Sequence, residues 1–269
     1  MYIADYHVHS SCSPDGKATM AEMAAAAVAS GLDELCFTDH MDTVSWHDMA
    51  PLWDFPWDEA RRQFREAKER WGDRITLKLG AEVGEAYLAF DRADHLVDNA
   101  PNPDFLIGSV HMLGKRYGYK DLYYVQEGDA AHYNDVIDSY LEEMEKLARW
   151  GRFHVLGHLT LPLRYINENF HAGLTFDGHR GQVEDIFRII IPKGIGIECN
   201  TNRGNAPLPD RDLLALYRDM GGEVVTLGSD AHVPEHVGCA IRQRQELLRS
   251  CGFRYFTTFT SGEPEFRPL

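Results

Sequence analysis

The chain has 269 residues, of which 44% are hydrophobic, and this is enough for one large apolar core. Its formal net charge of -15 disfavours partners that are bound through a phosphate backbone, because such binding requires clustered Lys and Arg side chains. We therefore predict a single domain spanning residues 1–269 that acts on a small molecule and binds no nucleic acid.

The cysteines and the apolar segments indicate the compartment. Five scattered cysteines show no C-x-x-C spacing, which is typical of a reducing cytosol rather than of a disulfide framework. No segment reaches the roughly 18 apolar residues of a membrane span, and the N-terminal MYIADYHVHS lacks a basic region followed by an apolar one. We therefore predict a cytoplasmic protein with no membrane partner, and we leave its oligomeric state open.

Apolar strand-like runs alternate with helical stretches along the whole chain, which is typical of a parallel sheet with crossover helices. The predicted strands are YIADYHVH, ELCFTDH, ITLKLGAEV, DFLIGSVH, FHVLGH, IGIECN and EVVTLGSDAH. RYFTTF, near the end of the chain, is predicted as an eighth strand or an edge piece.

Helical patterns separate these strands. The first, TMAEMAAAAVASG, has a predicted capping box of Thr19 and Glu22 and ends at Gly31. The later ones are WDEARRQFREAKERWG, LAFDRADHLVDNA, YNDVIDSYLEEMEKLARWG, GQVEDIFRIIIPKG, PDRDLLALYRDMGG and HVGCAIRQRQELLRSCG. Long connections near 41–56, 112–131 and 159–178 each follow a strand, so in a parallel barrel they lie at the face where active sites form.

Polar residues with metal-binding groups recur where the predicted strands end. They are His7 and His9, Asp39 and His40, Glu82, His111, His158, Glu198 and Asn200, and Asp230 and His232. The ends of parallel barrel strands meet at one mouth, and residues two apart on a strand share a face. Each residue alone is also compatible with a structural role, but acids and imidazoles clustered at seven consecutive strand ends favour a bound cation.

The ligand types narrow the metal and its chemistry. Imidazole and carboxylate groups without thiolate suit Zn, Mn or Fe, and about eight ligands exceed the needs of one tetrahedral ion. We therefore predict two or three divalent ions that share a bridging carboxylate, supply hydroxide as the nucleophile and neutralise charge on a phosphoryl group. No G-x-S-x-G elbow, P-loop or dinucleotide fingerprint indicates another chemistry.

The ordered motifs HVH, TDH, GAE, SVH, GH and SDAH resemble those of the polymerase and histidinol phosphatase (PHP) superfamily of metal-dependent phosphoesterases. The resemblance spans nearly the whole chain and implies a distorted (β/α)7 TIM-like barrel with a trinuclear site. The implied ligands are His7, His9, Glu82 and Asp230 for the first metal, Glu82, His111 and His158 for the second, and Asp15, His40 and His232 for the third.

Within that superfamily, the chain length and the phrases SVHMLG and IECNTNRG are similar to the free-standing histidinol-phosphate phosphatases. That similarity implies hydrolysis of L-histidinol phosphate to L-histidinol and phosphate, a step of histidine biosynthesis. The expected catalytic residues are Glu82 as the bridge between metals, with Asp230 and His232 as candidate donors of a proton to the leaving alkoxide.

Substrate-binding residues are sought in the loops of the catalytic face. Arg164 and Arg203 follow the fifth and sixth strands, and a guanidinium matches two phosphate oxygens. A cationic amine or imidazole on the substrate requires acids or aromatic groups, for which the candidates are Asp42, Trp46 and Glu85.

Four other functions remain as alternatives. A PHP phosphoesterase acting on a nucleotide or another phosphometabolite shares every metal ligand. A metal-dependent amidohydrolase also has H-x-H on its first strand but often a modified lysine on the fourth, and DFLIGSV contains none. A DNA-processing PHP module conflicts with the acidic charge. A metal-binding barrel without catalysis predicts missing ligands, and none is missing from the motifs.

Overall fold

The computed structural model describes all 269 residues and contains two parallel sheets and a C-terminal hairpin. The sheet orders are β1-β2-β3 and β4-β5-β6-β7-β8, and β9 pairs with β10. The strands are β1 (Ala4–Val8), β2 (Glu34–Phe37), β3 (Thr76–Leu79), β4 (Ala81–Gly84), β5 (Leu106–Ser109), β6 (Val155–Leu156), β7 (Gly196–Asn200), β8 (Val225–Gly228), β9 (Tyr255–Thr260) and β10 (Glu263–Pro268).

Backbone hydrogen bonds join the two parallel sheets at both of their edges. Strands β3 and β4 form one segment interrupted at Gly80, whose N–H donates to Phe37 O at 2.8 Å. A Cβ atom at Gly80 would lie 2.2 Å from Phe105 O, so this close approach requires glycine. At the other edge, Asp230 N donates to His7 O at 2.8 Å. The strands therefore occupy seven positions of a distorted parallel barrel, as the sequence predicts.

Eight α-helices connect and surround the strands, and the apolar core is one continuous cluster of 70 buried residues. The helices are α1 (Met20–Ala29), α2 (Trp57–Trp71), α3 (Phe90–Asp98), α4 (Ala130–Trp150), α5 (Pro162–Phe170), α6 (Arg180–Ile190), α7 (Arg211–Asp219) and α8 (Ile241–Ser250). No helix combines the length and apolar character that crossing a membrane requires.

Local sequence signals predict helix α1 correctly but do not predict helix α5. Thr19 caps α1, the capping box with Glu22 is present, and Gly31 follows with a left-handed φ of 71°, all as predicted. Helix α5 lies within residues 159–178, which the sequence predicted as a connection. Pro162 at its first turn starts it, and its nine residues are too few for a clear periodic pattern.

The segment RYFTTF, predicted as an eighth strand or an edge piece, forms most of β9 in a separate antiparallel hairpin and does not extend the parallel barrel. Strands β9 and β10 lie against the amino-terminal ends of the barrel strands, where Phe259 N donates to the Tyr6 hydroxyl and Gly262 N donates to Asp104 O. The Phe259 ring packs 4.9 Å from Phe105, centroid to centroid. The hairpin covers this end of the barrel and leaves the carboxyl-terminal end for the site.

Candidate metal centre

Four side chains from β1, β4 and the segment after β8 converge on one point. The Nε2 atoms of His7 and His9 lie 3.4 and 3.5 Å from Glu82 Oε2. The same two nitrogens lie 3.6 and 3.5 Å from Asp230 Oδ1. Ligands at about 2.0–2.1 Å from a tetrahedral zinc ion are separated by about 3.4 Å. These four separations match those between ligands of one tetrahedral divalent ion.

The other oxygen of Glu82 faces a second pair of histidines. Glu82 Oε1 lies 3.0 Å from His158 Nε2 and 3.4 Å from His111 Nε2. Because a carboxylate has two oxygens, Glu82 can join the first ligand set to this one, as predicted. Glu82 is fully buried, so neither oxygen is satisfied by bulk water.

A third set lies on the outer side of His9. Asp15 Oδ2 is 3.0 Å from His232 Nε2, and Asp15 Oδ1 is 3.8 Å from His40 Nε2. The His9 ring stacks on His232 with centroids 4.1 Å apart, so this set adjoins the first. The structure thus brings together all nine predicted metal ligands in three adjoining sets.

The ligand atoms lack the hydrogen-bond partners that buried polar atoms normally have. The buried atoms without a partner include Nε2 of His7 and of His9, Nδ1 of His40, Oδ1 of Asp15 and Oε2 of Glu82. Leaving such a group unpaired costs about 1–3 kcal/mol, and more when it is charged. The Nε2 atoms of His7 and of His9 face Glu82 Oε2 at 3.4 and 3.5 Å, and a divalent ion between them would satisfy all three atoms, so the residues present fit such an ion.

Mutual interactions shift the pKa values in this cluster in opposite directions. Burial lowers the pKa of His9 well below its ordinary value, and neighbouring His232 and His40 lower it further. Burial opposes ionisation of Glu82, but His7, His40 and other imidazoles hold its pKa well below the ordinary value. Burial opposes protonation of His7, but Glu198 and Glu82 hold its pKa well above the ordinary value, so a bound metal would displace a proton from this ring.

Buried oxygens lie close to the remote ring nitrogens of three ligands and accept or share a hydrogen bond with two of them, His7 and His9. Glu198 Oε1 lies 2.7 Å from His7 Nδ1, and Glu85 Oε1 lies 3.2 Å from His111 Nδ1. Ser13 Oγ lies 3.1 Å from His9 Nδ1. A partner on one nitrogen orients the ring and directs the other nitrogen at the metal.

Two predicted ligands adopt backbone angles that L residues rarely adopt. Asp230 has φ 57° and His158 has φ 23°. Such conformations cost about 1–3 kcal/mol and concentrate at functional sites. Both residues lie two positions beyond the ends of short barrel strands, β6 and β8, and their side chains line the mouth.

A cavity of about 310 Å³ opens directly over the ligands, and Arg164 of α5 lines it. Arg164 Nη1 donates to Asp230 Oδ2 at 2.7 Å, and its Nε and Nη2 donate to Asn202 Oδ1 and Asn200 Oδ1. Burial opposes the charge, but Asp230 keeps the Arg164 pKa above its ordinary value. The cavity therefore has a fixed cation next to the metal ligands.

The other substrate-binding candidates have different surroundings. Arg203 is 43% exposed, pairs with Glu168 at 3.1 Å, and lines an adjoining cavity of about 590 Å³. Trp46 lines the cavity over the ligands, with its ring 4.7 Å from that of His40. Asp42 and Glu85 form no part of that cavity wall and instead group with His111 behind it.

Some functional neighbours were not assigned a role from the sequence. The sequence predicts only that Glu198 and Asp39 lie at strand ends, and it assigns no role to Ser13. Asp39 accepts hydrogen bonds from Ser10 and from Ser13 Oγ at 2.8 Å, and so holds the serine that holds His9. The only sequence signal for Glu198 is that it shares a strand face with Asn200. That signal does not indicate which side chain Glu198 contacts across the barrel.

Comparison with known proteins adds a family and several relatives. The model of the PHP domain family matches residues 5–202. The chain is 28% identical to a histidinol-phosphatase of Lactococcus lactis, over 95% of this chain and 94% of the relative. It is also 28% identical to a probable histidinol-phosphatase of Deinococcus radiodurans, over 95% of this chain and 96% of the relative.

A solved structure shares the whole fold. It is that of histidinol phosphate phosphatase from Lactococcus lactis in complex with zinc, L-histidinol and phosphate. Its TM-score to this chain is 0.81 at 24% identity, and the match covers 98% of each chain. The likeness shows that the chain has the fold of that enzyme.

Proposed function

This chain belongs to the PHP domain family, and on that premise we infer that it is a metal-dependent phosphatase that hydrolyses a small phosphomonoester, first of all L-histidinol phosphate. One observation carries the proposal: Nε2 of His7, Nε2 of His9 and Oε2 of Glu82 have no hydrogen-bond partner. The two nitrogens lie 3.4–3.6 Å from Glu82 Oε2 and from Asp230 Oδ1, which is the spacing of ligands on one ion. The names of the relatives support the choice of substrate.

The proposed site holds two or three divalent ions, Zn, Mn or Fe, on the three ligand sets. When bound, such ions lower the pKa of water to supply hydroxide near neutral pH and offset charge on a phosphoryl group. Glu82 links the first two sets through its two oxygens. Its catalytic role is to hold those sets at a fixed separation.

Arg164 is the proposed phosphate-binding residue of the cavity wall. Three of the five N–H groups of its guanidinium bond to Asp230, Asn200 and Asn202. Those bonds fix its plane, and the remaining two N–H groups are available to phosphate oxygens. Arg203 is a proposed second contact from the adjoining cavity, weakened by its exposure and its bond to Glu168.

The leaving alkoxide requires a proton, and Asp230 and His232 are the proposed donors because both line the cavity. His232 Nε2 faces Asp15, and its Nδ1 lies 3.0 Å from Asp230 O. The His232 side chain is 29% exposed, so solvent can restore a proton that it has given up. Their ligand roles compete with this one, since a nitrogen bound to a metal carries no proton.

The experiment is a measurement of phosphate release by the metal-loaded protein. We expect a higher kcat/KM for L-histidinol phosphate than for AMP, phosphotyrosine or p-nitrophenyl phosphate, with activity lost in EDTA and restored by Mn or Zn. No release from any ester, with bound metal verified, would contradict the phosphatase proposal. Equal rates for L-histidinol phosphate and the aryl ester would contradict only the narrower substrate.

Two buried glutamates make a matched pair of variants for this assay. Glu82→Gln removes one charge from two ligand sets and is expected to abolish most activity. Glu34→Gln is the control, because Glu34 is equally buried on β2 and accepts hydrogen bonds from the Tyr2 and Tyr6 hydroxyls away from the mouth. Near-normal turnover in Glu82→Gln would show that the bridge is misassigned.

A further inference from the structure

One carboxylate in the wall of the cavity has no partner in the metal cluster. Three acids line the cavity: Asp15, Asp121 and Asp230. Asp15 lies 3.0 Å from His232, and Asp230 pairs with Arg164 and faces the histidines. Asp121 forms no ion pair, and its one side-chain hydrogen bond is from Tyr123 N to its Oδ1, at 2.7 Å.

Aromatic side chains lie beside Asp121 at the mouth. Tyr123 and Tyr124 directly follow it and are 65% and 59% exposed, which is unusual for rings of this size. Both line the cavity, as do Trp46 and Tyr165. The Tyr123 ring meets those of Tyr124 and Tyr165 at centroid distances of 5.1 and 6.0 Å. Aromatic faces near a carboxylate bind organic cations and flat heteroaromatic rings.

An unpaired acid in this position is costly for a phosphatase unless the substrate compensates for it. A phosphomonoester carries negative charge, so Asp121 repels the reacting end of any substrate that has no cationic group. Burial also raises the pKa of the Asp121 carboxyl above its ordinary value, an effect that a neighbouring cation offsets. A substrate with phosphate at one end and an ammonium group at the other changes both effects. Its ammonium group attracts the Asp121 carboxylate, and the same group lowers the pKa of that carboxyl.

We propose that Asp121, with Tyr123 and Tyr124, binds the cationic amine-bearing part of the substrate and so selects amino-alcohol phosphates over neutral esters. The proposal rests on the phosphatase function proposed above and adds the residues that choose the leaving group. It assigns to Asp121 the role for which the sequence indicated Asp42 and Glu85, because Asp121 lines the cavity and those two acids do not.

Asp121→Asn tests the proposal with little change in shape. Asparagine keeps the oxygen that accepts from Tyr123 N and removes only the charge. A hydrogen bond to a charged group contributes about 1.5–3 kcal/mol, so kcat/KM for L-histidinol phosphate should fall by about 10–100-fold, mainly through KM. The value for p-nitrophenyl phosphate should stay the same or rise, because that ester has no cation to lose and Asp121→Asn removes the repulsion of its phosphate.

Asp129→Asn is the matched control. Asp129 caps α4 by accepting from His132 N at 2.9 Å, as Asp121 caps its own short turn, but it does not line the cavity. We expect Asp129→Asn to leave both substrates unchanged. An equal loss on both substrates in Asp121→Asn, or no loss on L-histidinol phosphate, would overturn the proposal while the phosphatase function stands.

A binding measurement tests the role of Asp121 without requiring turnover. Calorimetric titration of L-histidinol into metal-loaded protein should give a Kd at least about 10-fold weaker for Asp121→Asn than for the wild type or Asp129→Asn. Inorganic phosphate should bind Asp121→Asn at least as tightly as it binds the wild type and Asp129→Asn. Equal L-histidinol affinities would overturn the proposal even if no ester were hydrolysed, whereas absence of hydrolysis alone would contradict the proposed function.

Discussion

At the scale of single residues, the metal centre depends on side chains that touch no predicted ion. Glu198 is the clearest case, because its two oxygens hold His7 Nδ1 and the backbone N–H of His158, both at 2.7 Å. Two ligands of different sets are therefore positioned by one buried carboxylate. Removing it changes ring orientation and ligand basicity together.

We predict that Glu198→Gln weakens metal binding by about 10–100-fold, the usual cost of losing a carboxylate that orients a metal-bound histidine. Competition with a chromogenic chelator measures this directly. Glu34→Gln should bind metal with wild-type affinity. Unchanged affinity in Glu198→Gln would mean that the barrel wall alone orients His7.

The two arginine candidates should differ in the size of their effect. Arg164→Ala is expected to lower kcat/KM by about 30–1000-fold, equivalent to about 2–4 kcal/mol, because the guanidinium is fixed beside the ligands. Arg203→Ala should cost much less and leave metal content intact, because Arg203 is exposed and paired with Glu168. Rates of phosphate release from the two variants test the order, and a larger loss in Arg203→Ala would contradict it.

The site residues that could be predicted are those for which residue type and position at a strand end are enough to indicate a ligand. A histidine or carboxylate at the end of a barrel strand lies at the mouth whatever the details of packing, so strand position alone is enough to propose eight of the nine ligands. Asp15 lies in a turn and is proposed from the family resemblance. Ser13 and the orienting role of Glu198 depend on which side chain faces which across the barrel. The periodicity of one strand does not indicate which side chains of other strands it will contact.

At the scale of elements, the β9–β10 hairpin packs on His154 at the end of the barrel opposite the site and leaves this ring half-buried. The His154 ring stacks between Phe105 and Phe259, and its Nδ1 accepts a hydrogen bond from Leu106 N at 2.8 Å. Burial lowers the pKa of His154 to about 4. Protonation therefore requires loss of this packing.

We predict that His154 contributes to acid unfolding. Its pKa is lower in the folded than in the unfolded state, so the unfolded chain binds more protons and stability falls as pH decreases from about 6.5 to about 4. The contribution is about 3 kcal/mol at most. His154→Asn keeps an acceptor for Leu106 N and should flatten this part of the profile. The measurement is urea unfolding of metal-free wild type and variant at several pH values.

The same slope in both proteins would show that other groups control acid unfolding.

The hairpin that packs on His154 could not be predicted in full from the sequence. RYFTTF has the composition of a strand, but its antiparallel partner EPEFRP contains two prolines and reads as a tail. Pairing at an edge tolerates proline, which is why β10 forms despite its composition.

At the scale of the whole molecule, the barrel concentrates buried ionisable groups at one end. Cations that bind only the folded state stabilise it by mass action. We predict that EDTA lowers Tm and that Zn or Mn restores it, with a smaller shift in Glu82→Gln than in Glu34→Gln. Differential scanning calorimetry gives the Tm values. A Tm that does not respond to chelator would mean that the ligand sets are satisfied by protons alone.

The central claim is that the strand ends form one centre for more than one metal ion, and elemental analysis of protein purified without chelator tests it most directly. Three adjoining ligand sets joined by Glu82 and His9 predict a stoichiometry of two to three divalent ions per chain. That ratio should fall in Glu82→Gln and persist in Glu34→Gln. A ratio near zero after expression in metal-supplemented medium would contradict the claim.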